Sequence, residues 1–193
     1  FIGEKDGDQA GLTVAGAGDV NGDGFDDMLI GAPLYSGADW TGRAYLILGR
    51  ASANWGRSFN LANADASFRA EAQNDYAGRS VAGAGDINGD GLDDFLIGAP
   101  YWGPKEGTNF TYKGKVYVWL GRSAANWGRN VSLANADASY IGENSFDNAG
   151  WSVAGAGDVN ADGFDDFLVG APNNSDASFV NDQGFVEIAY FAG

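Results

Sequence analysis

The sequence predicts an all-β protein built from three four-stranded units, and three observations carry that prediction. One block occurs three times: TVAGAGDVNGDGFDDMLIGAP at 13–33, SVAGAGDINGDGLDDFLIGAP at 80–100 and SVAGAGDVNADGFDDFLVGAP at 152–172. The runs around it are short, rich in β-branched and aromatic residues, and separated by Gly, Pro, Asn and Asp, as strands are separated by turns. No segment sustains a helical period. Four short strands per unit, repeated in tandem, are the signature of a propeller blade. The expected architecture is therefore a β-propeller with three blades in this chain, partial or completed by another copy.

The elements follow in order within each unit. The first strand is the small-residue run TVAGAG or SVAGAG, and the second follows the acidic loop, as in FLIGAP at 95–100. AYLIL and VYVWL are third strands, with a looser copy in GFVEIAYFAG at 184–193. The fourth is centred on Phe68-Arg69-Ala70-Glu71 and Tyr140-Ile141-Gly142-Glu143, and the opening FIGE is the tail of that same element. These assignments divide the single repeat domain 1–193 near residues 1–67, 68–139 and 140–193. Residues 1–4 are expected to supply the fourth strand of the last blade, in the same or a neighbouring chain. The acidic loops begin at Asp19, Asp86 and Asp158, so the second interval is longer. The extra residues fall within YWGPKEGTNFTYK at 101–113, an expected surface loop.

Composition narrows the function. The 193 residues carry a formal net charge of −15, with 26 acidic and 11 basic side chains, which opposes binding to nucleic acid phosphates. No apolar run approaches the roughly 18 residues of a membrane span, so membrane insertion is not expected. Cys and His are absent, which excludes disulfides, thiolate or imidazole metal sites and Ser-His-Asp or Cys-His catalysis. The chain opens at Phe1 without a leader pattern, which reads as a processed or trimmed chain. The sequons at Asn109 and Asn130 fit an exported protein.

Twelve of the 26 acids lie in the three loops DVNGDGFDD, DINGDGLDD and DVNADGFDD. Counted from the first Asp, positions 1, 3, 5 and 9 are Asp19, Asn21, Asp23 and Asp27; then Asp86, Asn88, Asp90 and Asp94; then Asp158, Asn160, Asp162 and Asp166. Alternate oxygen ligands on a tightly turning chain can converge on one cation. Position 7 (Phe25, Leu92, Phe164) can add its carbonyl while its side chain enters the core. Position 6 is Gly throughout, as a left-handed backbone requires. Hard oxygen donors at this density suit Ca²⁺ better than Mg²⁺, so three Ca²⁺ sites are expected. The EF-hand pattern fails, since its twelfth position would be Ile30, Ile97 and Val169. The plainer alternative is a set of hairpin turns with solvated acids. Position 4 is Ala161 in the third loop, against Gly22 and Gly89. A positive φ there would make the third site weaker.

Together these motifs resemble FG-GAP repeats, the blades of integrin α-subunit propellers and of many bacterial extracellular proteins. Gly-Ala-Pro stands at 31–33, 98–100 and 170–172, after a D-x-[DN]-x-D-G-x-x-D loop. The Phe-Gly pair of the family is altered to Ala10-Gly11, Ala77-Gly78 and Ala149-Gly150. In that pattern position 8 (Asp26, Asp93, Asp165) is not a ligand, and it is expected to bond backbone or tune the charge of the site.

The resemblance implies an extracellular or cell-surface module for protein contact, adhesion or self-assembly, and not an enzyme. A glycan-binding propeller is the alternative, as is a fragment of a larger propeller carried by a surface protein. Trp55 and Trp127 share the repeated Asn-Trp-Gly-Arg and are expected to pack against the next blade. Trp40 and Trp102, in the variable loops, are the better candidates for exposed contact.

Overall fold

The computed structural model describes residues 1–36, 40–51, 58–106, 109–174 and 185–189; at 105, 106, 109 and 185–189 it describes backbone alone. Trp55, Gly184, Phe191 and the side chain of Asn109 lie outside the described residues. The first sheet contains Thr13–Gly18 (β1), Asp27–Ala32 (β2), Arg43–Ile47 (β3) and Ala66–Arg69 (β4), each antiparallel to the one before. Ser80–Gly85 (β5) and Asp94–Ala99 (β6) open the second sheet. A hairpin of Lys105–Glu106 (β7) and Asn109–Phe110 (β8) follows, where a plain surface loop is expected. Lys115–Trp119 (β9) then joins β6. Val131–Ser132 (β10) crosses over to run parallel to β4, and Ala138–Ile141 (β11) completes the second sheet beside β9. The third sheet contains Ser152–Gly157 (β12), Asp166–Ala171 (β13) and Phe185–Ala189 (β14). The unit limits expected near 68 and 140 fall inside β4 and β11, each the fourth blade strand of the sheet that precedes it.

The three sheets repeat one register: Val14 pairs Ile30, Val81 pairs Ile97 and Val153 pairs Val169. Each ladder is interrupted at the same place, between Gly16 and Gly18, Gly83 and Gly85, and Gly155 and Gly157. Gly18, Gly85 and Gly157 have φ of 73°, 74° and 68°. A bulge with a left-handed glycine bends the strand end into the acidic loop. The sheets pack side by side, β1 against β5 and β5 against β12. They form the blades of a propeller that is not closed within this chain.

Period-two alternation sends neighbouring side chains of one strand to different cores. Leu29, Ala44 and Leu46 face the layer shared with the second sheet, where they join Phe68, Phe95 and Tyr117. Ile30, Tyr45 and Ile47 face the other side and join Leu61 and Ala64. A second interface joins Leu96, Val116 and Val118 to Phe167 and Val169. Trp127 lies between two blades, 5.6 Å from the Phe95 ring of its own sheet and 6.3 Å from Phe68 of the preceding one. It therefore packs against the preceding blade, not the next, because β10 carries its segment back onto β4.

Residues 1–4 sit on the first sheet as β4 sits on the second unit. Ile2 bridges Asn60 in parallel, at the place where β4 pairs with β10. Glu4 accepts hydrogen bonds from Tyr45 at 2.9 Å and Arg43 at 3.0 Å. Glu71 repeats this with Tyr117 at 2.8 Å and Lys115 at 2.7 Å. Burial, with the adjacent carboxylate, raises both phenol pKa values. Burial alone would raise Glu71, but the bonds from Lys115 and Tyr117 prevail and hold it low.

Candidate metal centre

Each acidic loop connects the first strand of a blade to its second, so the bulge at one end and the β2-type strand at the other fix its span. In the first loop, Asp19 Oδ1 accepts the N–H groups of Gly22 at 2.7 Å and Asp23 at 3.0 Å, and Oδ2 accepts that of Gly24 at 2.8 Å. Partial burial would raise its pKa, but these bonds outweigh it and keep Asp19 below the ordinary carboxylate value. The second loop repeats the set on Asp86 at 2.7, 3.0 and 2.8 Å. In the third, Asp158 accepts from Asp162 and Gly163. Asp23, Asp90 and Asp162 accept the N–H of position 7 and are exposed. Asn88 and Asn160 donate their side-chain N–H to Asp90 and Asp162.

The position 9 carboxylates are buried. Asp27 accepts N–H bonds from Val20 at 3.0 Å and Gly49 at 2.7 Å; Asp94 accepts them from Ile87 at 2.9 Å and Gly121 at 2.6 Å. Burial pushes both up to about 6. Asp166 accepts from Val159, and its Oδ1 is a buried oxygen with no partner among the described residues.

The sequence-derived ligands thus share one turn per blade. Among the described residues, however, no three acidic side chains converge as a formed metal cage. The donor set fits a hard cation: three carboxylates, an amide oxygen and a carbonyl on nine residues. Asp19, Asn21, Asp23, Asp27 and the Phe25 carbonyl would hold the ion in the first loop. Asp86, Asn88, Asp90, Asp94 and the Leu92 carbonyl would do so in the second. Asp158, Asn160, Asp162, Asp166 and the Phe164 carbonyl are the third set.

Two features go beyond the sequence reading, which expects position 8 to bond backbone but does not place its partner in another blade. Position 8 links blades: Asp93 Oδ2 accepts the Asp19 N–H at 2.8 Å, and Asp165 Oδ2 accepts the Asp86 N–H at 3.0 Å. The reciprocal bonds run from Asp93 N–H to the Asp19 carbonyl at 3.3 Å and from Asp165 N–H to the Asp86 carbonyl at 3.1 Å. A Cβ on Gly18 or Gly85 would lie 2.1 or 2.0 Å from the incoming carboxylate, so these positions admit glycine alone on steric grounds as well as for φ. Position 7 does not enter the core as expected. Leu92 and Phe164 reach over Gly22 and Gly89 of the preceding loop, and Phe25 is 47% exposed. The acidic loops are thereby coupled from blade to blade. The second missed feature is a buried Asp in the loops before each first strand: Asp8, Asp75 and Asp147 are 5%, 3% and 1% exposed. Each accepts a backbone N–H three residues earlier, from Lys5, Ala72 and Asn144.

Sheets of this topology packed through their first strands, with an acidic turn at the same corner of every sheet, define a propeller of acidic-loop blades. The FG-GAP repeat family model matches residues 10–47, 77–119 and 149–186, and the chain belongs to the FG-GAP repeat family. It is 29% identical over 186 residues to integrin alpha-PS2 of Drosophila melanogaster, covering 93% of this chain and 12% of that protein. It is 32% identical over 178 residues to integrin alpha-V of Gallus gallus, covering 89% and 16%. It is also 33% identical over 163 residues to phosphatidylinositol-glycan-specific phospholipase D of Bos taurus, covering 80% and 18%. The chain spans less than a fifth of each of these relatives.

Proposed function

We propose that this chain is a calcium-stabilised, extracellular or cell-surface propeller module that makes adhesive protein–protein contacts, including contacts with further copies of itself, and that it is not an enzyme. The observation that carries the reading is the row of three acidic loops, each with three candidate carboxylate ligands and each tied to the next by Asp93 or Asp165. A divalent cation in each loop would neutralise clustered charge and stabilise the folded form by mass action. With three ions the formal charge would move from −15 to −9. The integrin relatives support adhesion. The phospholipase D relative also matches this chain, so we rest the non-enzymatic reading on the commitment of the loop carboxylates to metal and on the lack of Cys and His. Among the described residues no helix is long and apolar enough to cross a membrane.

The seat of residues 1–4 supports self-assembly. They occupy the place of a fourth strand beside the first sheet, and β14 pairs only with β13 among the described residues. In a head-to-tail contact, FIGE of one copy would meet the third strand of the last blade of another. Two copies would close a six-blade ring, and a rotation that does not close would give a filament. Sedimentation velocity in Ca²⁺ tests this: a multimer is expected, and deletion of residues 1–4 is expected to dissociate it. A folded monomer at micromolar concentration would contradict self-assembly.

A further inference from the structure

Antiparallel alternation puts the acidic loops at one end of the sheets and the β2–β3, β4–β5 and β6–β9 connections at the other. At that other end the aromatic rings touch in sequence. Trp40 lies 5.8 Å from Tyr76, Tyr76 lies 4.7 Å from Tyr101, and Tyr101 lies 5.5 Å from Tyr112 and 5.9 Å from Trp151. Beside Tyr101 opens a cavity of about 510 Å³, lined also by Gln73, Asn74, Asp75, Pro104 and Phe110. That volume is in the usual range for a small-molecule site.

The backbone here is left-handed at several bulky residues. Trp40 and Tyr112 occupy the same place in two units, two residues before Gly42 and Gly114, with φ of 39° and 46°. Tyr76 and Phe146 have φ of 55° and 74°. A left-handed backbone disfavours bulky side chains by about 1 kcal/mol or more, and such strain gathers at functional sites. Trp40 and Phe146 are nonetheless 44% and 54% exposed, so core burial does not offset the cost.

We propose that this cavity binds a neutral sugar, with Tyr101 as the stacking platform and Gln73 and Asn74 as hydroxyl partners. The charged groups described near the cavity are engaged elsewhere. Asp75 is turned inward onto the Ala72 N–H and is 3% exposed. Glu71 is engaged by Lys115 and Tyr117. The nearby cations already lie over rings, Arg79 over Trp151 and Lys115 over Trp102, both at 4.8 Å. The described lining therefore offers ring faces and amides. A polyhydroxylated ring with apolar C–H faces matches both. Of the two tryptophans expected to make exposed contacts, Trp40 belongs to this strip. Trp102 is half-buried and packs against the first core.

The site is remote from the acidic loops, so it does not rest on the calcium reading. Saturation-transfer NMR on the Ca²⁺-loaded chain should use methyl glucoside, methyl galactoside, methyl mannoside and N-acetylglucosamine, with the peptide Gly-Arg-Gly as the cationic rival. At least one sugar should show transfer. Tyr101→Leu should weaken it about tenfold, or ~1.4 kcal/mol. Gln73→Ala, at an exposed position, and Asn74→Gly, which keeps the left-handed backbone, should weaken it without altering the melting temperature. Silence from all four sugars, transfer unchanged in Gln73→Ala and Asn74→Gly, or a response to the peptide alone would overturn the proposal.

Discussion

Asp75 is buried and accepts the Ala72 N–H at 2.8 Å, and burial pushes its carboxyl up to about 7. Because the folded-state value lies above the ordinary 3.8, the folded chain holds the proton more tightly than the unfolded one. The stabilisation is complete below about pH 4 and is lost as pH rises through about 7. Asp75→Asn keeps the acceptor oxygen and removes the charge. In saturating Ca²⁺ its melting temperature should gain on the wild type between pH 5 and pH 8; a constant difference would contradict this. Ala161 makes a second test. Its φ is 62°, close to the 75° of Gly22 and Gly89, so the strain belongs to the fold itself and not only to the bound loop. Ala161→Gly should stabilise by about 1 kcal/mol, or roughly 2–4 °C, while Gly89→Ala should destabilise, since its Cβ would lie 2.6 Å from the Phe164 ring. The acidic turn of each blade was legible because its spacing is local. The partners of Asp93, Asp165 and Leu92 were not, because they lie in another unit.

At the level of elements, the inter-blade clasp gives identical sequence positions different energetics. Asp93 holds the Asp19 N–H, whereas Asp26, its counterpart in the first loop, is exposed. A hydrogen bond to a charged group is worth about 1.5–3 kcal/mol, and partial exposure puts this one toward the lower end. Asp93→Ala should therefore lower the melting temperature by roughly 3–6 °C, and Asp26→Ala should change it little. Equal effects, measured in saturating Ca²⁺, would remove the clasp from the description. The strand pattern was readable from alternation and turn residues, with two refinements. The fourth strands end at Arg69 and Ile141, within their expected centres, and beyond the first of them Glu71 turns to bind Lys115 and Tyr117. Val131–Ser132 is too short to carry a period, and only its parallel seat on β4 makes it a strand.

For the whole molecule, the blades are joined at three heights: the acidic loops by Asp93 and Asp165, the middle by apolar layers, and the far end by Thr13 and Ser80, whose hydroxyls donate to the carbonyls of Gly78 and Gly150. Close approach at that end requires the glycine of the altered Ala-Gly pair in the second and third units: a Cβ on Gly78 would lie 2.3 Å from the Arg43 carbonyl, and one on Gly150 2.8 Å from the Lys115 carbonyl. The apolar layers act without metal, but the loop row concentrates like charge along one end of the blades. Thermal melting followed by circular dichroism, with EGTA, with excess Ca²⁺ and with excess Mg²⁺, reads that balance directly. A large fall in melting temperature with EGTA, reversed by Ca²⁺ and poorly by Mg²⁺, is the predicted result. The same melting temperature in all three conditions would contradict calcium stabilisation and return the acidic loops to the status of solvated turns.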